Sequence, residues 1–296
     1  MTKLLTFLCA ASLCSINLAL AADSSLNTAK IEELTGVKGK LNEKEGVFKV
    51  TLPRTDIKAT IAGVKMNPEL GLGAWAAFTK AGNHAMVMSD MVLLEEQVNP
   101  VMSAALDNGL EVTALHNHFL WDSPRIMFMH IGGMGDELIL AKAVGQVFDK
   151  LKETRDSKSA PPYADIDPTN TSLDPTKIEA IIGMAGAMKD GVYKIVIGRK
   201  ARMGEHEVGK EMGINTWAAF AGSDDKAIVD GDFAMRENEV QSVIKVLRGA
   251  GINIVAIHNH MINETPRYVF LHYWGAGTTA DLAKTLKAAL DTQSTQ

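Results

Sequence analysis

The chain has 296 residues, of which 46% are hydrophobic and 22% charged, and its formal net charge is −5. The composition is that of an ordinary globular protein, and the length suits two domains. The acidic balance argues against nucleic acid or an anionic membrane surface as a partner.

Residues 1–21 read as a secretory signal peptide. Lys3 supplies the charged start, Leu4 to Ile16 an apolar run too short to span a bilayer, and Ala19-Leu20-Ala21 a small-residue cleavage site. Cleavage is expected after Ala21, which makes the mature protein periplasmic. The two cysteines, Cys9 and Cys14, both fall in this leader, so neither a disulfide framework nor thiolate chemistry is expected of the mature chain. Leu8 and Leu13 stand where a lipoprotein signal needs a small residue. No later stretch is long and apolar enough for stable membrane insertion.

The remainder repeats itself. Lys30-Ile31-Glu32 returns as Lys177-Ile178-Glu179, residues 46–50 as 191–195, Arg54 as Arg199, and Trp75-Ala76-Ala77-Phe78 as Trp217-Ala218-Ala219-Phe220. Asp90 returns as Asp232 and Glu95 as Glu237. Residues 69–135 align without a gap on 211–277, with 23 of 67 positions identical, and 10 of 22 within 114–135. Two units are therefore expected, residues 22–152 and 176–296. Residues 153–175, rich in Pro, Ser, Asp and Thr and without apolar periodicity, read as a linker.

Each unit opens on a short helix, Thr28–Leu34 or Thr176–Ile182, stopped by Gly36 or Gly183. Short strands follow at Val47–Leu52 and Val192–Ile197, at the Trp-Ala-Ala-Phe segments, and at Ala85–Met88 and Ala227–Val229. An amphipathic helix is expected over Leu93–Leu106 and Arg236–Leu247, then a strand, a loop, a strand and a last helix, Glu137–Leu151 or Ala280–Leu290. The pattern predicts an α+β fold: two tandem repeats of an antiparallel sheet with helices on one side, packed about a pseudo-twofold axis. Trp75, Phe78, Trp217 and Phe220 are assigned to the core. Asp90 and Asp232 fall at the strand-to-helix turn, where capping is the default role.

Six of the eight histidines are duplicated: His116, His118 and His130 in one unit, His258, His260 and His272 in the other. His84 and His206 have no counterpart and read as surface residues. Alternate residues of a strand share a face, so His116 and His118 point together. A hairpin with the strand 125–130 brings His130 to them. Three imidazoles converging from adjacent strands suit a divalent metal, zinc or copper first. Asp122 and Glu264 lie four residues beyond the His-Asn-His pairs and are candidates for a fourth ligand or a catalytic base. Arg125 and Arg267, each after a proline, are candidates for binding an anionic substrate or for an ion pair with Asp122 or Glu264. The bland alternative, histidines bonding to backbone in a tight loop, stays open. The letters His-Asn-His are not the nuclease motif of that name, which spreads its residues over a longer ββα element.

The tandem arrangement Trp-Ala-Ala-Phe, Ala-(Leu/Ile)-His-Asn-His, Pro-Arg and Phe-(Met/Leu)-His resembles the family of exported proteins that includes the LppY and LpqO lipoproteins. The resemblance covers nearly the whole mature chain. It implies an envelope location and a two-copy architecture, and no activity, because that family is a domain of unknown function. Three functions follow as expectations: a periplasmic metal-binding protein, a metal-dependent hydrolase or related envelope enzyme, and a non-catalytic module binding sugar or peptide.

Overall fold

The structure, a computed structural model, describes residues 25–156 and 163–293; the expected leader lies outside them. The first copy runs α1 (Thr28–Thr35), β1 (Gly39–Asn42), β2 (Val47–Pro53), β3 (Thr60–Ile61), β4 (Val64–Lys65), β5 (Gly73–Ala81), β6 (His84–Leu94), α2 (Glu95–Asp107), β7 (Glu111–His116), β8 (Asp122–Ser123), β9 (Ile126–Gly135) and α3 (Glu137–Glu153). The second repeats it as α4 (Pro175–Ile182), β10 (Ala187–Lys189), β11 (Val192–Gly198), β12 (Ala201–Met203), β13 (His206–Val208), β14 (Asn215–Gly222), β15 (Ala227–Arg236), α5 (Val240–Gly249), β16 (Asn253–His258), β17 (Glu264–Thr265), β18 (Tyr268–Gly277) and α6 (Thr279–Asp291). Helix ends follow the sequence signals. Gly36 and Gly183 close α1 and α4 in the left-handed conformation, and the Asp136 and Thr278 side chains cap α3 and α6.

Twelve strands join in a single sheet, ordered β1-β2-β5-β6-β9-β7-β16-β18-β15-β14-β11-β10. Replacing each strand by its counterpart reverses that order, so the halves are related by a pseudo-twofold at the β7–β16 joint, where Leu115 stands opposite Ile257. Helices α1 to α6 contribute to one apolar core on one face of the sheet, and this core runs through the joint from Ile31 to Ala289. The opposite face is partly covered by two small sheets, β4-β3-β8 and β13-β12-β17, each over its own apolar cluster. The small sheets carry no sequence signal beyond two- and three-residue strands. The last part of the linker lies against the second copy: Ser172 and Leu173 donate to Gly222 O at 2.8 and 3.1 Å, and Leu173 is buried.

Two corrections bear on the site. The strand expected at Ala85–Met88 continues to Leu94, and that at Ala227–Val229 continues to Arg236. Asp90 and Asp232 are therefore in mid-strand and cap nothing. His118 and His260 lie just beyond the strands, since β7 stops at His116 and β16 at His258.

The joint is sealed by reciprocal side-chain amides. Beside it each strand changes register, between Val112 and Ala114 and between Ile254 and Ala256. Asn99 on α2 accepts from Ile254 N at 2.8 Å and donates to Ile254 O at 3.3 Å. Gln241 on α5, its counterpart, accepts from Val112 N at 3.0 Å and donates to Val112 O at 2.8 Å. Val112 and Ile254 are buried, so truncation strands two backbone groups, each worth about 1–3 kcal/mol. Gln241→Ala is expected to lower the urea midpoint accordingly and Asn99→Ala to do the same; a loss below ~0.5 kcal/mol for both would mean that water replaces the amides.

Candidate functional site

Strand alternation sets the site. Along β9, Met127, Met129 and Ile131 pack in the helix-side core, while Ile126 and Phe128 belong to the cluster under the small sheet. His130 shares that second face. The β7–β9 hairpin pairs Ala114 with His130 and His116 with Phe128, and β16–β18 pairs Ala256 with His272 and His258 with Phe270. The expected convergence follows. The His116 ring lies 5.2 Å from those of both His118 and His130, and the His258 ring 5.1 Å from His260 and 4.9 Å from His272. His118 stacks on Phe128 at 3.3 Å and His260 on Phe270 at 3.5 Å. These buried phenyl rings seat the histidines that have left the strands. His84 and His206 are exposed elsewhere.

The sequence reading missed the aspartates. Asp90 is directly opposite His130 in the β6–β9 ladder, and Asp232 opposite His272. Asp90 is 8% exposed and its Oδ1 has no hydrogen-bond partner among the described residues. Burial pushes its pKa above the usual carboxylate range, against the pull of His130, His118 and His116. Asp232 is better satisfied: Oδ1 accepts from Leu271 N at 3.2 Å and Oδ2 lies 3.4 Å from His260 Nε2. His260 Nδ1 and His272 Nδ1 lie 3.3 Å from the carbonyls of Gly213 and Gly231. His118 and His258 are both held below the ordinary imidazole range, chiefly by burial. The signal for them is the identity of Asp90 and Asp232 in both copies, which a strand ending at Met88 or Val229 leaves outside the sheet.

The tryptophans are also displaced from their expected place. Phe78 and Phe220 are core, but Trp75 and Trp217 are half-buried on the open face, Trp75 beside Asp90 and Trp217 beside Asp232. Lys49 Nζ lies over Trp75 and Lys194 Nζ over Trp217, each at 4.0 Å from the ring.

Asp122 and Glu264 hold a turn. Asp122 accepts from Ile126 N at 2.6 Å and Glu264 from Tyr268 N at 2.9 Å, spanning the cis peptides Ser123-Pro124 and Thr265-Pro266. Arg125 and Arg267 do form ion pairs, but with Glu95 and Glu237, each at 3.6 Å, and not with Asp122 or Glu264. Strand parity and these glutamates, at the start of α2 and just before α5, put the arginines on the helix side of the sheet. The histidine clusters are on the other side. A cleft of about 330 Å³ beside Arg125 is lined by Asn99, Asn117, Met127 and Val255.

As placed, no group of three or more His, Cys, Asp or Glu among the described residues stands in metal-holding geometry. Within each cluster the rings lie face to face or tilted, with interplanar angles from 13° to 46°. Stacked rings direct their nitrogens side by side. Ligation would require the rings to turn about their side-chain torsions.

Fold and clusters together define a duplicated α+β protein with one aspartate–histidine cluster per copy. The chain belongs to the family described as Domain of Unknown Function (DUF1259), whose model matches it in tandem over residues 29–150 and 176–292. No curated protein matches it. Among solved structures, one similar chain is that of a trimeric bacterial microcompartment shell protein, PduB, with 13% identity over 86% of this chain and 89% of that one at a TM-score of 0.20. That likeness bears on neither fold nor function. Among the described residues no helix is long and apolar enough to cross a membrane.

Proposed function

We propose that the protein is an exported metal-binding protein that holds one divalent ion, zinc or copper, in each copy. The ligands are His116, His118 and His130 with Asp90, and His258, His260 and His272 with Asp232. One observation carries this reading: a buried aspartate stands opposite the third histidine of a three-histidine cluster, in both copies, at the same register. Three imidazoles and a carboxylate suit zinc in tetrahedral coordination, and imidazole-rich sites also take copper. The ring contacts described above fall inside each copy, which favours two centres over one shared centre. The expected leader and the resemblance to the LppY and LpqO proteins support the exported location.

The test is metal content by mass spectrometry on untagged, leaderless protein exposed to zinc and then dialysed. Two equivalents are expected, one in His116→Ala, and none in His116→Ala combined with His258→Ala. Less than a tenth of an equivalent in the unmodified protein sinks the reading. A metal-dependent hydrolase is favoured by one feature, the unpartnered Asp90 oxygen with its raised pKa, which suits a general base. Turnover of an ester, phosphate or amide that disappears in Asp90→Asn while zinc stays bound would select that reading.

A further inference from the structure

The two copies keep the same ligand set but differ in the row of residues beside it. On the open face of the first copy, the strand register places Lys40, Lys49, Ala77, Met88 and Gly132 in line across β1, β2, β5, β6 and β9. The corresponding row of the second copy is Ala187, Lys194, Ala219, Asp230 and Trp274. Neighbouring strands lie about 4.8 Å apart, so Lys194 and Asp230 are two strands apart across the small Ala219. The first copy has no such carboxylate: Met88 stands there, 61% exposed. Instead Lys40 and Lys49 face each other directly, a like-charge pair that destabilises an antiparallel ladder. Among the described residues neither lysine makes an ion pair. Glu111 ends this row on β7, on the far side of Gly132, and Glu43 and Glu45 line a surface cleft together with Lys40 and Lys49.

Lys49 reaches from this row to the next, because its ammonium lies over Trp75, and Trp75 adjoins Asp90. An ion held by Asp90, His116, His118 and His130 that expands to take a fifth ligand would thus have a cation and an aromatic face beside that added position. Gly132 leaves the adjoining surface bare, where Trp274 covers it in the second copy.

We infer that the first copy is a ligand-binding copy, taking the oxyanion group of a small molecule, phosphate or carboxylate, between its bound ion and Lys49, while Asp230 and Trp274 fill and neutralise the equivalent place in the second. This rests on the metal reading above. Isothermal titration of the zinc-loaded protein with inorganic phosphate, and separately with acetate, tests it. One anion per chain is expected, bound at least tenfold more weakly by Lys49→Met and unchanged by Lys194→Met; a thermal melt checks that each variant is folded. Asp230→Met combined with Trp274→Gly is expected to open a second anion site. Two equal anion sites in the unmodified protein, or none with two zinc ions bound, overturns the inference and leaves the metal reading standing. Failure to bind zinc overturns both. The tighter of the two anions names the group.

Discussion

Asp90→Asn is expected to raise the melting temperature of the metal-free protein and to lower that of the zinc-loaded one. Both directions come from the same carboxylate. Asp90 is 8% exposed, its Oδ1 lacks a partner among the described residues, and its pKa is raised, first by burial. A raised value in the fold means that the folded state holds more protons than the unfolded one across that range. Stability therefore falls as pH rises from the ordinary carboxylate value, about 3.9, through the raised one, and the deficit persists at neutral pH. Asparagine is uncharged and removes it. With zinc present, the sign reverses, because the ion supplies the missing counter-charge and the variant has lost a ligand. Zinc at one hundred times its Kd stabilises a single site by about 2.7 kcal/mol. For a chain of this size each kcal/mol moves the melting temperature by roughly 2–4 °C, so losing one site forfeits roughly 5–10 °C of the zinc-induced shift.

The same experiment on Asp232→Asn is expected to show a smaller gain in the metal-free protein. There the carboxylate already has Leu271 N and His260. Differential scanning calorimetry with and without zinc separates the cases. If Asp90→Asn lowers both melting temperatures alike, the aspartate is a structural group and not a ligand. The zinc-induced shift should also shrink as pH falls through the imidazole range, since a protonated ring binds no metal. His118 and His258, held low by burial, stay neutral to a lower pH than a free imidazole does.

The duplication was legible because the histidines, the Pro-Arg pairs and the Trp-Ala-Ala-Phe segments kept their letters. Side-chain roles preserved by exchange were not legible. The carbonyl of Trp75 accepts from Ser89 Oγ at 2.5 Å. In the second copy the position of Ser89 is Gly231, and the carbonyl of Trp217 accepts instead from Tyr273 at 3.1 Å, a residue that replaces Ile131. A Cβ on Gly231 would lie 2.2 Å from that hydroxyl, so glycine and tyrosine are one unit, as are serine and isoleucine. Compensation between strands distant in sequence cannot be read from letters alone, and the strand that carries Asp90 outruns its sequence signal for a related reason. Residues 89–94, Ser-Asp-Met-Val-Leu-Leu, are buried on both faces, one by helices and one by the small sheet. They lack the alternation that marks a half-buried strand. The same double cover hid the small sheets.

A second exchange sets up the largest expected stability effect. Arg54 and Arg199 are buried counterparts. Arg54 reaches Gln97 Oε1 at 2.9 Å, the Val92 carbonyl, and the partly exposed Asp56 at 2.8 Å. At the position of Gln97 the second copy has Glu239, 2% exposed, whose oxygens lie 3.0 and 3.1 Å from Arg199 Nη2. Removing one partner of a buried ion pair leaves the other charge in a medium that solvates it poorly, which costs about 3–5 kcal/mol. Arg199→Leu is expected to lose that much. Arg54→Leu leaves a neutral amide and a carboxylate that water reaches, so its loss is expected near 1–3 kcal/mol. Glu239 also accepts from Arg236 N at 2.9 Å and from Gln293 at 3.1 Å, contacts in which a glutamine oxygen can replace it. Adding Glu239→Gln to Arg199→Leu should therefore recover most of the difference between the two single variants. Urea midpoints decide the matter. Equal losses for Arg54→Leu and Arg199→Leu, or no recovery in the double variant, would show that the guanidinium acts here by filling space and that the stranded charge is not what the fold resists.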